Sequence, residues 1–117
     1  MGFKFEDLHV WNASLDLGEK IRDLSRKLPP EEKYALCSQM VRCADSIGLN
    51  IAEGSAGQTN PEFRRFLSIS IRSGIELIAC LHIARKNQFL SEDEFNEIYK
   101  TSEDIIVQIQ APKNAIA

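Results

Sequence analysis

Four stretches of this 117-residue chain repeat their apolar residues at the helical period, and none alternates like a strand. The first, residues 5–28, carries Leu8, Trp11 and Leu15 in one stripe and Leu17, Ile21, Leu24 and Leu28 in an adjacent one. Gly18 inside it suits the close approach of a second helix. Pro29-Pro30 end it, because proline removes an N–H and restricts the residue before it. The second, residues 31–53, places Leu36, Met40, Cys43, Ala44, Ile47 and Ile51 on one face, with Gly54 set for a left-handed cap. Residues 55–60, SAGQTN, read as an irregular loop.

The third stretch, residues 61–86, opens at Thr59-Asn60-Pro61-Glu62, where either Thr59 or Asn60 can be the N-cap. Its core face runs through Phe63, Phe66, Leu67, Ser70, Gly74, Leu77, Ile78 and Leu81, and Asn87 suits a left-handed end. The fourth, residues 92–111, has a capping box in Ser91-Glu92-Asp93-Glu94 and a hydrophobic staple in Leu90 and Phe95. Pro112 should stop or kink it, and residues 113–117 should fray.

Each stripe must be buried, and four helices packed at about 20° share one core. The prediction is therefore an all-α, up-down-up-down four-helix bundle, a single domain over residues 1–117. The main alternative is a three-helix bundle with one helix exchanged between copies.

Composition narrows the function classes. The net charge is −3, which does not describe a strongly basic polyanion binder. No unbroken apolar run reaches the length of a membrane span, and the acidic, aromatic start does not resemble a signal peptide. Cys37, Cys43 and Cys80 have neither the number nor the spacing of a disulfide framework or zinc site, and His9 and His82 are isolated. The expectation is a cytoplasmic protein with buried thiols, no metal, no cofactor and no membrane.

The third helix has more apolar surface than one bundle can hide. At about 100° per residue, Ile69 and Ile75 flank the core stripe, while Ala79 and Ile83 point nearly backwards. A helix apolar almost all round is not a monomer's surface helix, so a homo-oligomer contact through Ile69, Ile75, Ala79 and Ile83 is expected.

On the second helix, Gln39, Arg42, Ser46, Asn50 and Glu53 share one face beside the core stripe. Amides, a hydroxyl, a guanidinium and a carboxylate together suit a polar seam between helices or between subunits. They do not make catalytic machinery: no nucleophile has a base and Glu53 has no acid–base partner, so a non-enzymatic protein is expected. Charge is unevenly placed as well. Residues 59–87 hold five basic and two acidic groups, residues 88–117 two and six. Arg64, Arg65 and Arg72 thus form a basic patch that an oligomer would repeat, a candidate for binding RNA or DNA unless the acidic fourth helix neutralises it.

A resemblance rests on residues along most of the chain. They are Phe5-Glu6-Asp7-Leu8 with Val10-Trp11; Leu36, Gln39, Arg42, Ser46-Ile47 and Asn50-Ile51-Ala52-Glu53-Gly54; Glu62-Phe63, Arg65-Phe66-Leu67, Gly74 and Glu76-Leu77; and Phe89-Leu90-Ser91. With them the chain resembles the small bacterial four-helix bundles of the 23S rRNA intervening-sequence protein family, relatives of the accessory variability proteins of diversity-generating retroelements. The resemblance implies a homopentamer, barrel-like with a central channel. It also implies an accessory protein, with RNA or DNA and a reverse transcriptase as partners of its more basic members. The chain departs from the pattern in its net acidity and in Pro112, where the family continues its last helix.

Overall fold

The computed structural model describes residues 2–56 and 59–115. The middle of the predicted loop, Gly57 and Gln58, and the last two residues lie outside the described residues. Four helices carry the fold: α1 (His9–Lys27), α2 (Leu36–Gly54), α3 (Asn60–Lys86) and α4 (Glu92–Ala115). Short 3-10 turns at Lys4–Asp7 and Pro30–Glu32 precede α1 and α2. Neighbouring helices pack in the cyclic order α1, α2, α3, α4 and back to α1, so α3 stands diagonally across from α1. Short connections make each neighbour antiparallel, as in the predicted up-down-up-down bundle. The bundle measures 43 × 25 × 20 Å, its long axis close to the ~40 Å expected of a 27-residue helix.

Two helix starts lie later than the period suggests. Leu8 is extended, with ψ 123°, so α1 begins at His9 and not at residue 5. Asn12 Nδ2 donates to the Glu6 and Leu8 carbonyls at 3.2 and 3.1 Å, tying the preceding turn to the first turn of α1. Phe5 meets the Trp11 ring edge-on at 4.8 Å, which holds the preceding turn against α1. In α2, Pro30 presets a tight turn in place of a helical one. Ala35, at φ −118° and ψ −100°, delays the helix to Leu36, five residues beyond the predicted start.

The other ends follow local chemistry. Thr59 is the cap of α3, accepting the Glu62 N–H at 3.4 Å. At the far end Gln88, not Asn87, takes the left-handed conformation (φ 62°). Phe89 N–H then reaches the Ala84 carbonyl at 2.9 Å, closing a Schellman turn. The predicted capping box of α4 forms: Glu94 N–H donates to Ser91 Oγ at 3.1 Å, and Ser91 N–H to Glu94 Oε1 at 2.8 Å. Pro112 does not stop α4, which continues to Ala115. In the last exposed turn the missing N–H removes one bond at an end already facing water.

The core joins all four helices through Leu17, Ile21, Met40, Ile47, Ile51, Leu77, Leu81, Ile105 and Ile109. Glycine admits close packing at other places than Gly18, where an added Cβ would meet only Arg22 and Asp45 side chains at 3.4 and 3.5 Å. A Cβ on Gly74 would lie 2.8 Å from Ile106 Cγ1, and one on Gly54 2.7 Å from Phe66 Cβ. Gly54 is therefore needed for contact with α3 and not for a left-handed cap. Leu15, assigned to the first stripe, is exposed.

Candidate functional site

The polar face of α2 meets α3, so the seam lies between helices of one chain. Gln39 donates to the Glu76 carboxylate, and Arg42 Nη2 donates to Gln39 Oε1 at 2.9 Å. One turn further on, the Ser46 and Ser73 hydroxyls bond at 2.8 Å. Asn50 Nδ2 donates to the Ser46 carbonyl at 2.8 Å, and Ser73 Oγ to the Ile69 carbonyl at 3.1 Å. Glu53 stands apart, exposed at the end of the row, its carboxylate without a hydrogen bond among the described residues. Ser73 and Glu76 are seam members that the sequence argument missed. Their signal was present: both lie on the side of α3 that turns towards α2, at helical spacing with Ile69.

Two buried thiols sit under this seam. Burial, with the Glu76 carboxylate next in weight, pushes Cys43 up to about 12, and the same two causes push Cys80 up. Both are neutral, unreactive thiols at ordinary pH. Among the described residues no three His, Cys, Asp or Glu side chains converge as metal ligands.

The outer face of α3 divides along its length. In its N-terminal half stand the three predicted arginines, all exposed. Arg64 Nε donates to the Lys113 carbonyl at 3.4 Å, and Arg65 pairs with Glu62 at 3.0 Å while lying over the Phe66 ring. Arg72 makes no ion pair among the described residues. The acids of α4 do not cancel this patch. Glu94 and Glu97 hold Lys27 and Lys20 of α1 at 3.4 and 3.3 Å, and among the described residues only Arg85 of α3 reaches an α4 acid, Glu92, at 3.6 Å.

In the C-terminal half, Ile75 is 56% and Ile83 51% exposed, with Ala79 exposed between them. Ile69 does not join them: it is half-buried. Ala79 and Ile83 continue into a groove of about 520 Å³ lined also by Leu36, Cys80 and the exposed Tyr34. Tyr34 is a further residue the sequence argument passed over, because it lies in a turn and belongs to no stripe. By composition alone α3 has an 18-residue window of mean hydropathy 1.5, long and apolar enough to cross a membrane. Here one side of that helix, including Ser70, Gly74 and Leu77, is buried, with α2 and α4 packed against it.

Short-looped antiparallel helices, a polar seam inside one pair and an apolar outer face on the third define a class, the small antiparallel four-helix bundles. Within that class, residues 6–111 match the family described as 23S rRNA-intervening sequence protein, and the chain belongs to it. A crystal structure with a similar fold is that of a protein of unknown function from the S23 ribosomal protein family of Bacteroides thetaiotaomicron VPI-5482. Its TM-score is 0.82 at 24% identity, and the likeness covers 89% of this chain and 97% of that one. At that identity the likeness speaks for the fold alone. No protein of curated function matches the chain.

Proposed function

We propose that the chain is a non-enzymatic, cytoplasmic scaffold that assembles with copies of itself and holds RNA or DNA through repeated Arg64, Arg65 and Arg72. The observation that carries this reading is the divided outer face of α3: half-exposed isoleucines at one end, and a row of exposed guanidiniums at the other. Apolar area of that kind favours a covered state, and one weak cationic patch becomes useful when repeated around an axis. Five copies in a ring is the number that family membership suggests. A nucleoprotein partner such as a reverse transcriptase would meet the same arginines.

A second reading, a purely protein–protein scaffold, is favoured by the partners that Arg64 and Arg65 already have and by the net charge of −3. Salt titration of binding to short labelled RNA and DNA separates the two. The first reading expects binding at low ionic strength that weakens steeply with salt and is lost in Arg65→Glu/Arg72→Glu while assembly persists. No binding at low salt overturns it. Assembly weakened by the same substitutions supports the second.

A further inference from the structure

The chain leaves a hollow where α1 gives way to α2. Leu28 is extended, with ψ 157°, and Pro29-Pro30 cannot continue a helix. The backbone therefore swings out through the turn Pro30–Glu32 before α2 begins at Leu36. The swing encloses about 320 Å³, at the lower end of the range of small-molecule sites. Leu28, Pro29, Pro30 and the buried Cys37 give it apolar walls.

One polar atom in its lining is unmatched. Among the described residues a single buried side-chain oxygen or nitrogen has no hydrogen-bond partner, and it is the Ser25 hydroxyl. Other helix serines of this chain, Ser68, Ser73 and Ser102, donate to the carbonyl four residues back. Ser25 makes no such bond. Its carbonyl, by contrast, accepts twice, from the Leu28 N–H at 3.2 Å and the Cys37 thiol at 3.4 Å. A buried hydroxyl without a partner is unfavourable, and an acceptor placed in the hollow gives it a reason to turn to another staggered position.

The charged residues of the lining have one sign. Arg26 and Lys33 belong to it, while Glu31 and Glu32 of the adjoining turn do not. Arg26 is engaged by Asp23. Lys33 makes no ion pair among the described residues, and its ammonium lies 5.3 Å from the centre of the Tyr34 ring. Both cations are exposed, so their stems extend the apolar wall and their heads stay at the rim. An inorganic anion would find no cradle of backbone donors here. The Glu32, Lys33 and Ala35 N–H groups are spent on the Pro29, Pro30 and Glu32 carbonyls, and the two prolines have none.

We infer that this hollow binds a small organic acid in its ionised form. The apolar body lies against Leu28, Pro29 and Cys37, and the carboxylate accepts from the Ser25 hydroxyl and faces Lys33 and Arg26. The hollow lies at the end of the bundle away from Arg64 and Arg65, so its occupancy and nucleic-acid binding are separate properties.

Octanoate and its neutral counterpart 1-octanol are the probes, titrated into the full-length, isotope-labelled chain and followed by amide shifts in NMR. Octanoate should give saturable shifts at Ser25, Arg26, Leu28, Lys33 and Cys37 and bind about tenfold more tightly than octanol. Lys33→Glu, at an exposed position, should weaken octanoate about fivefold and leave octanol unchanged. Ser25→Ala should weaken octanoate about tenfold without lowering helicity or the urea midpoint, since the hydroxyl it removes is unmatched in the empty protein. Shifts that fail to saturate, or that spread alike to Ile75, Ile83 and Leu49, overturn the inference as adsorption to any apolar surface. Equal binding of octanol overturns the carboxylate, and unchanged octanoate binding in Ser25→Ala overturns the role of the hydroxyl.

Discussion

The two halves of α3's outer face differ although one helix carries both. Residues 64–72 present guanidiniums that lie along the surface, two of them already engaged with Glu62 and the Lys113 carbonyl. Residues 75–83 present isoleucine and alanine with nothing over them. A single rod can therefore offer a salt-sensitive surface and a water-avoiding one without either occluding the other. The division falls at Gly74, against which the Ile106 side chain of α4 packs. The lesson is that net charge, −3 here, describes neither half.

The largest effect expected is from Gly74→Val, which acts on both halves at once. Branched carbons there would press on Ile106 Cγ1, already 2.8 Å from an ideal Cβ. Overpacking of this kind costs about 1–3 kcal/mol, read as a lower urea midpoint. An unchanged midpoint would mean that α4 yields at this point. Next comes Ile75→Asp/Ile83→Asp. It should leave helicity intact and reduce the scattering mass to 13.2 kDa, with RNA binding weakened because the patch is no longer repeated. An undiminished mass would separate the apolar half from assembly. Smaller is Arg65→Glu/Arg72→Glu, for which the salt slope of binding should fall by roughly 0.7–0.9 for each phosphate that is no longer neutralised, at unchanged mass.

The smallest effect calibrates the others, since it lies away from both halves. Hydrogen bonding from Ser91 N–H, with Lys27 assisting against partial desolvation, holds the Glu94 carboxyl below its ordinary 4.5. A lowered folded value means that the stabilisation is present above pH 4.5 and is lost as pH falls through the folded value. Glu94→Gln should flatten that part of the acid limb of a stability profile. Ser91→Ala should cost about 1 kcal/mol at neutral pH. Neither should alter assembly or salt dependence.

Much of the fold was legible in the residues themselves, and the reasons are local. Pro29-Pro30 and the Ser91–Glu94 box act within a few residues, so the ends they govern were readable to within a residue or two. The stripe of α2 predicted its buried face because periodicity and burial have one cause. What failed depended on competition between local options. Glu31 and Glu32 suit a first helical turn as well as a 3-10 turn, and Pro30 decided for the latter. Gln88 took the left-handed position that Asn87 was better suited to, because the Schellman bonds need it one residue later. For the site, the seam row on α2 was legible from spacing. Its partners Ser73 and Glu76 were not, since nothing in one helix states which neighbour it will meet. Leu15 was assigned to a buried stripe yet is 51% exposed for a related reason: nothing within α1 states which side of it a neighbour leaves uncovered.

Ser70, fully buried, donates its hydroxyl to the Ile47 carbonyl at 2.9 Å, and the Ser46–Ser73 bond crosses the same two helices nearby. Together they work as alignment pins. Slipping one rod against the other by a turn, about 5.4 Å, would unseat both and strand polar atoms in grease, at about 1–3 kcal/mol each. The pair should thus open to solvent as a single slab in hydrogen exchange, and whatever geometry its outward surfaces present is held fixed by that registration.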